Sequence, residues 1–123
     1  MLALLEDLDE LQASVLRTLS SPTRLRLIHL LASGPCEVHE LVDALGLSQA
    51  ATSQHLAALR AAGIVEATRD GRAVEYRLVD ADLARACELL RNVLVRRLAH
   101  LGDLAATAEE LAVTRAYRMP GPG

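Results

Sequence analysis

Between residues 48 and 55 the chain reads Ser-Gln-Ala-Ala-Thr-Ser-Gln-His, and its polar members are of the types that pair with nucleic-acid bases. On a helix, Gln49, Ala50, Ser53 and Gln54 share one side, with Ser48 just ahead of them and His55 at the edge of that side. Amides and hydroxyls bond to base edges in a major groove, and small residues such as Ala50 let the helix enter it. Further along, Arg69 and Arg72 flank Asp70-Gly71, where guanidinium groups can clamp phosphates on either side of a groove. Arg60 lies between the two clusters and adds positive charge. The chemistry these residues fit is recognition of double-stranded DNA, with base contacts from a helix and backbone contacts from a basic turn.

Local signals supply the elements that would position them. Gly46 and Leu47 form a turn, and Ser48 sits as an N-cap whose hydroxyl can accept from the free amides of the first helical turn. From Gln49 to Ala62 the residues are good or neutral helix formers, with Thr52, Leu56 and Leu59 spaced to face a core. Gly63 ends the helix as a left-handed cap. Ile64–Thr68 and Ala73–Leu78 read as strands joined by Arg69-Asp70-Gly71-Arg72, a hairpin signal. A reading helix followed by such a hairpin is a winged helix. The alternative is a small α+β domain whose basic turn tip is merely solvated.

Composition limits the remaining choices. A chain of 123 residues with 51% hydrophobic and only 2% aromatic residues is one domain with an aliphatic core. No run approaches the ~20 apolar residues of a membrane span, and no signal-peptide order opens the chain, so a cytoplasmic protein is expected. Cys36 and Cys87 are then expected as reduced thiols rather than a disulfide. The net charge of −3 weighs against nucleic-acid binding, but its distribution matters more. Glu6, Asp7, Asp9 and Glu10 crowd the first stretch, while Arg60, Arg69, Arg72 and Arg77 outnumber Glu66, Asp70 and Glu75 in the reading region. No nucleophile–base pair and no phosphate-cradling glycine loop is present, so an enzyme is not expected.

Helical stripes flank the reading region. Leu5, Leu8, Val15, Leu16 and Leu19 mark a first helix over 2–19. Ser21-Pro22 opens a second, expected to bury Leu25, Ile28 and Leu31 or Leu27 and to end at Ser33-Gly34-Pro35. Val38, Leu41, Val42 and Leu45 mark a third. Asp80 caps a long helix from Ala81 carrying Leu83, Leu90, Leu94, Leu98 and Leu101, with Gly102 a candidate break before a further helical stretch at 103–117. The expected fold is therefore mainly α, an α+β winged helix: a helix-turn-helix with a two-stranded β-wing between N- and C-terminal dimerisation helices. The expected organisation is one domain over 1–118, divided into 1–19, the core 20–80 and 81–118, with a disordered tail at 119–123. Leucine stripes on the outer helices would be exposed in a monomer, which points to a homodimer with two reading heads; packing on each other within one chain is the alternative.

From Leu19 to about Asp80 the sequence resembles the ArsR/SmtB family of bacterial transcriptional repressors. The resemblance rests on Ser21-Pro22-Thr23-Arg24, Glu40-Leu41, Leu47-Ser48-Gln49, Ser53-Gln54-His55-Leu56, Leu59-Arg60, Gly63-Ile64-Val65 and Gly71-Arg72 through Tyr76. It implies a homodimer that binds operator DNA when free and leaves it when an inducer binds. It also implies that Ser48, Gln49, Ser53 and His55 lie near bases or phosphates, with Arg69 and Arg72 on the wing. A dimeric adaptor that binds protein rather than DNA is the competing function.

The inducer is a separate question. Where thiol-rich sensors of this kind carry cysteines, this chain has Glu37 and His39, with Cys36 one place away. Thiolate, imidazole and carboxylate together suit a divalent transition metal as effector. The alternative is a surface acid, a surface histidine and a half-buried cysteine. Asp80 and Asp82 match two positions of a dimer-helix metal site, but Val93 and Arg96 replace the others. Ala58 and Ala62 stand where a cadmium/lead-sensing branch has cysteines, and His29 and Val95 where persulfide sensors have theirs. Cys87, near Arg85, offers thiol oxidation as a different signal if that arginine favours its thiolate. Otherwise it is a small apolar residue at an interface.

Overall fold

Four of the five described helices start at a side chain that satisfies free backbone donors; the first helix, opening at Met1, has no such cap. The computed structural model describes residues 1–104, over which the chain forms α1 (Leu2–Leu19), α2 (Pro22–Leu31), β1 (Cys36–Glu37), α3 (Val38–Leu45), α4 (Gln49–Ala61), β2 (Val65–Asp70), β3 (Ala73–Leu78) and α5 (Ala81–Leu104). Ser21 accepts from the Arg24 amide ahead of Pro22, and Ser48 accepts from the Ala51 amide. Glu37 and Glu40 cap α3 reciprocally, the first accepting from the Glu40 amide and the second from the Glu37 amide. Asp80 accepts from the Asp82 amide at the start of α5.

The core lies where α2, α3 and α4 meet the sheet. Leu27, Ile28 and Leu31 of α2, Leu41 and Leu45 of α3, Leu56 and Leu59 of α4, and Ile64 and Val65 after it form one buried cluster, which Leu19 joins from the end of α1. Leu25, expected inside, is 43% exposed. A helix of ten residues offers two plausible leucine faces, and the Leu27–Ile28–Leu31 face is the one that meets α3 and α4.

The wing carries a strand that the sequence reading lacks. The sheet is three-stranded and antiparallel, in the order β1-β3-β2, with Cys36 opposite Tyr76 and Glu37 opposite Glu75. The hairpin turn is also one residue later than the Asp-Gly reading places it. Asp70 pairs with Ala73, which leaves Gly71-Arg72 as the loop. Gly71 has φ +61° and, among the described residues, no non-glycine residue has positive φ, the pattern of a loop with glycine first rather than of Asp-Gly.

Gly102 does not interrupt α5, which runs on to Leu104. The remainder of the 103–117 stretch and the tail at 119–123 lie outside the described residues. Gly63, at φ +74°, makes the left-handed turn that swings the chain from α4 into β2.

The two glycines predict opposite responses to the same change. Gly63→Ala has open space but a left-handed backbone, and should destabilise by about 1 kcal/mol. Gly102→Ala, helical and equally open, should stabilise by roughly 0.5 kcal/mol. Denaturant midpoints moving in opposite directions would confirm both.

Candidate nucleic-acid interface

One side of α4 is sealed into the core and the other is left in solvent. Thr52, Leu56 and Leu59 are fully buried at 0% exposure. The Thr52 hydroxyl donates to the Ser48 carbonyl at 2.9 Å, so the one buried polar side chain among the described residues is satisfied by the cap residue. Gln49, Ala50, Ser53, Gln54 and Arg60 are all exposed. At about 3.6 residues per turn Ala50 and Gln54 lie opposite the buried stripe, Ser53 and Arg60 flank it, and Gln49 projects from the first turn on the Leu56 side. Ser48 is exposed at its head, its hydroxyl engaged by the Ala51 amide at 3.0 Å. Arg60, in the last turn, also complements the helix dipole.

His55 stands apart from that face. It is half-buried on the flank of α4, and its Nδ1 accepts from Nε of Arg24 in α2 at 3.2 Å. The Arg24 guanidinium also donates to the Thr18 carbonyl at the end of α1, at 3.1 Å. Burial, and then the Arg24 charge, hold the imidazole below its ordinary value of 6.5.

The arginines of the wing separate by register. Arg69 pairs with Val74 and shares a face with Ala67 and Val65, while Arg72 is in the loop itself; both are exposed. Arg77, on the other face, is held by Glu66 directly across the ladder. Two positive groups therefore remain at the wing tip.

Within the protomer the structure brings Glu37 and His39 together and sets Cys36 apart from them. Successive strand residues point to opposite faces, so Cys36 follows Tyr76 toward the core while Glu37 follows Glu75 outward. The Cys36 thiol lies against the Leu30 and Gly34 carbonyls, at 4.0 and 3.7 Å. Glu37 is engaged as the α3 cap and by His39 Nε2. Among the described residues no three His, Cys, Asp or Glu side chains converge on a common point. Asp80 and Asp82 are likewise engaged, the first as the α5 cap and the second with Arg85.

Neither thiol is activated. Burial pushes the Cys36 thiol up, and the Glu40 and Glu75 carboxylates push it further. Burial also raises Cys87, and Arg85 pairs with Asp82, so nothing here favours the thiolate and Cys87 accords with the alternative of a small apolar residue. Sequence reasoning missed Arg24 as part of this region. Its signal was a basic residue in the first turn of a helix, where the dipole disfavours it.

A buried helix stripe, an exposed polar face behind it and a basic hairpin tip define a winged helix-turn-helix regulator. The family model described as "Bacterial regulatory protein, arsR family" matches residues 21–67. The HTH-type transcriptional regulator CmtR of Mycobacterium bovis (strain ATCC BAA-935 / AF2122/97) is 41% identical over 105 residues, covering 85% of this chain and 86% of that one. The HTH-type transcriptional repressor SmtB of Mycobacterium tuberculosis is 42% identical over 89 residues, 72% of this chain and 61% of the other. The solution structure of Mb0332 from Mycobacterium bovis, a homodimeric winged helix-turn-helix DNA-binding domain, superposes with a TM-score of 0.71 at 34% identity, over 77% of this chain and 88% of that one. The chain belongs to the arsR family of bacterial regulatory proteins. No described helix is long and apolar enough to cross a membrane.

Protonated thiols should be slow nucleophiles. At neutral pH both cysteines should react with a thiol reagent more slowly than free cysteine, with rates that climb as pH rises and level off only above 9.0. Glu40→Gln, which keeps an acceptor for the cap, should speed Cys36 alone. Rapid reaction of either cysteine at neutral pH would contradict the assignment.

Proposed function

We propose that the protein is a homodimeric transcriptional repressor that binds double-stranded operator DNA through α4 and the wing. The observation that carries this reading is the exposed face of α4. Gln49, Ser53 and Gln54 offer donors and acceptors there, Ala50 allows close approach, and none is engaged in a side-chain bond among the described residues. A buried stripe on the reverse holds that face rigid, as base reading requires. Arg60, Arg69 and Arg72 supply the phosphate contacts, and Ser48 positions the helix through its cap. His55, with its Nδ1 already taken, is a poorer base reader than the sequence implied.

Dimerisation follows from the faces α1 and α5 leave in water. Leu4, Leu5, Leu8, Leu11 and Leu16 of α1 and Leu89, Leu90 and Val93 of α5 are all exposed in the protomer. Contiguous apolar surface of this kind marks an interface, and the Mb0332 domain is a homodimer. A second copy buries both helices and presents two α4 helices to a two-fold site.

Three substitutions separate the parts. Gln49→Ala should weaken operator binding by about 1–3 kcal/mol and leave random DNA unaffected. Arg72→Ala should weaken both alike and reduce the salt slope by roughly one. Leu8→Glu, at a position 51% exposed in the protomer, should shift sedimentation toward the monomer and weaken operator binding with it. Equal losses on operator and random DNA for Gln49→Ala would remove that residue from base reading. Indifference of partner binding to Arg69→Ala and Arg72→Ala, with no preference for the promoter, would favour the adaptor instead.

A further inference from the structure

Arg24 sits where three helices meet and touches each of them. Its backbone amide donates to Ser21 at the start of α2, its Nη1 to the Thr18 carbonyl of α1, and its Nε to His55 Nδ1 of α4. The Thr18 carbonyl belongs to the last turn of α1, where helical carbonyls lack internal partners and carry the negative end of the dipole. A guanidinium is the side chain that can serve two acceptors in fixed directions at once. The same positive charge is misplaced in the first turn of α2, so α2 itself does not account for it.

We infer that Arg24 and His55 are a positioning pair that locks the DNA-reading helix α4 to the end of the dimerisation helix α1, and that neither contacts DNA. The inference rests on the proposed DNA-binding reading and deepens it. In a homodimer joined through α1, the angle of each α4 to α1 sets the separation and tilt of the two reading heads. Arg24 bridges those two helices directly. The bond requires an unprotonated Nδ1, so neutral His55 carries its hydrogen on Nε2. Arg24 from α2 is the charged group acting on the imidazole, and the Thr18 carbonyl is the group that α1 contributes to the pair. Protonation puts a hydrogen on Nδ1 facing the guanidinium and breaks the link. The lowered pKa makes the neutral form the folded protein's preference. Its contribution is complete above 6.5 and is lost as pH falls through the lower folded value.

The pH effect has a diagnostic sign. Added positive charge near DNA would tighten binding in acid, whereas a broken lock weakens it. The test uses the full-length protein, its promoter fragment, and the variants Arg24→Gln, His55→Gln and the double change. Each single variant should weaken operator binding about tenfold, the size of one hydrogen bond to a charged group. The double should be no worse than either single, because both remove one link. The salt slope should stay at the wild-type value, and the wild type should lose affinity relative to His55→Gln as pH falls below 6.5. In the free protein, nitrogen NMR of the imidazole should show the Nε2–H form, titrating below 6.5 in the wild type and higher in Arg24→Gln. A salt slope reduced by about one in Arg24→Gln would make that residue a phosphate contact and overturn the inference. So would additive losses, wild-type affinity for the operator from Arg24→Gln, or an imidazole titration that ignores it. A wild type that does not prefer its promoter would fail the DNA-binding reading instead, leaving the imidazole titration to report on the pair alone.

Discussion

Burial of Thr52, Leu56 and Leu59 is the constraint on which the rest depends. The two leucines bring α4 into contact with α2 and α3, and their burial fixes which way every other α4 side chain can point. Thr52 sharpens the arrangement. Its hydroxyl, out of reach of water, needs a partner and finds the Ser48 carbonyl, so the core stripe and the cap are one unit. The helix start, the exposed polar face and the path into the wing are all referred to that stripe. A regulator that distinguishes bases needs this rigidity, because a helix free to roll would present a different set of side chains to the groove.

Charge and apolar surface divide the remaining work. The chain carries a net −3, yet α1 opens on a cluster of four acids and the wing tip keeps Arg69 and Arg72 unpaired by any carboxylate among the described residues. Glu66 holds Arg77 on the opposite face, which leaves the tip as the local positive pole. Such a footprint is small, so two copies acting together matter more here than in a strongly basic protein. The leucine faces of α1 and α5 supply the means, and Arg24 ties one of those helices to the reading head.

What the sequence made legible was what local chemistry decides. Ser48, Gly63, the Thr52–Leu56–Leu59 spacing and the two wing strands each announce themselves within a few residues. The misses are non-local. β1 has two residues and exists only because Tyr76 and Glu75 lie opposite, so no periodicity could reveal it. That same short strand turns Cys36 and Glu37 to opposite faces, which their adjacency in sequence does not reveal. The turn moved because pairing of Asp70 with Ala73 outweighs the Asp-Gly preference. Leu25 and Leu27 could not be ranked without knowing where α3 and α4 pack. His55 and Arg24 are 31 positions apart, and only the packing of α2 on α4 brings them together. His55 was thus visible as polar and near the reading face, but its partner was not.

The most direct test of the whole account is the stoichiometry of the complex, measured by sedimentation equilibrium of the protein with a duplex from its own promoter. Two protomers per duplex, dimeric before DNA is added and still dimeric on it, is the predicted result. A single protomer on the duplex, or a dimer that leaves promoter DNA unbound, would contradict the account.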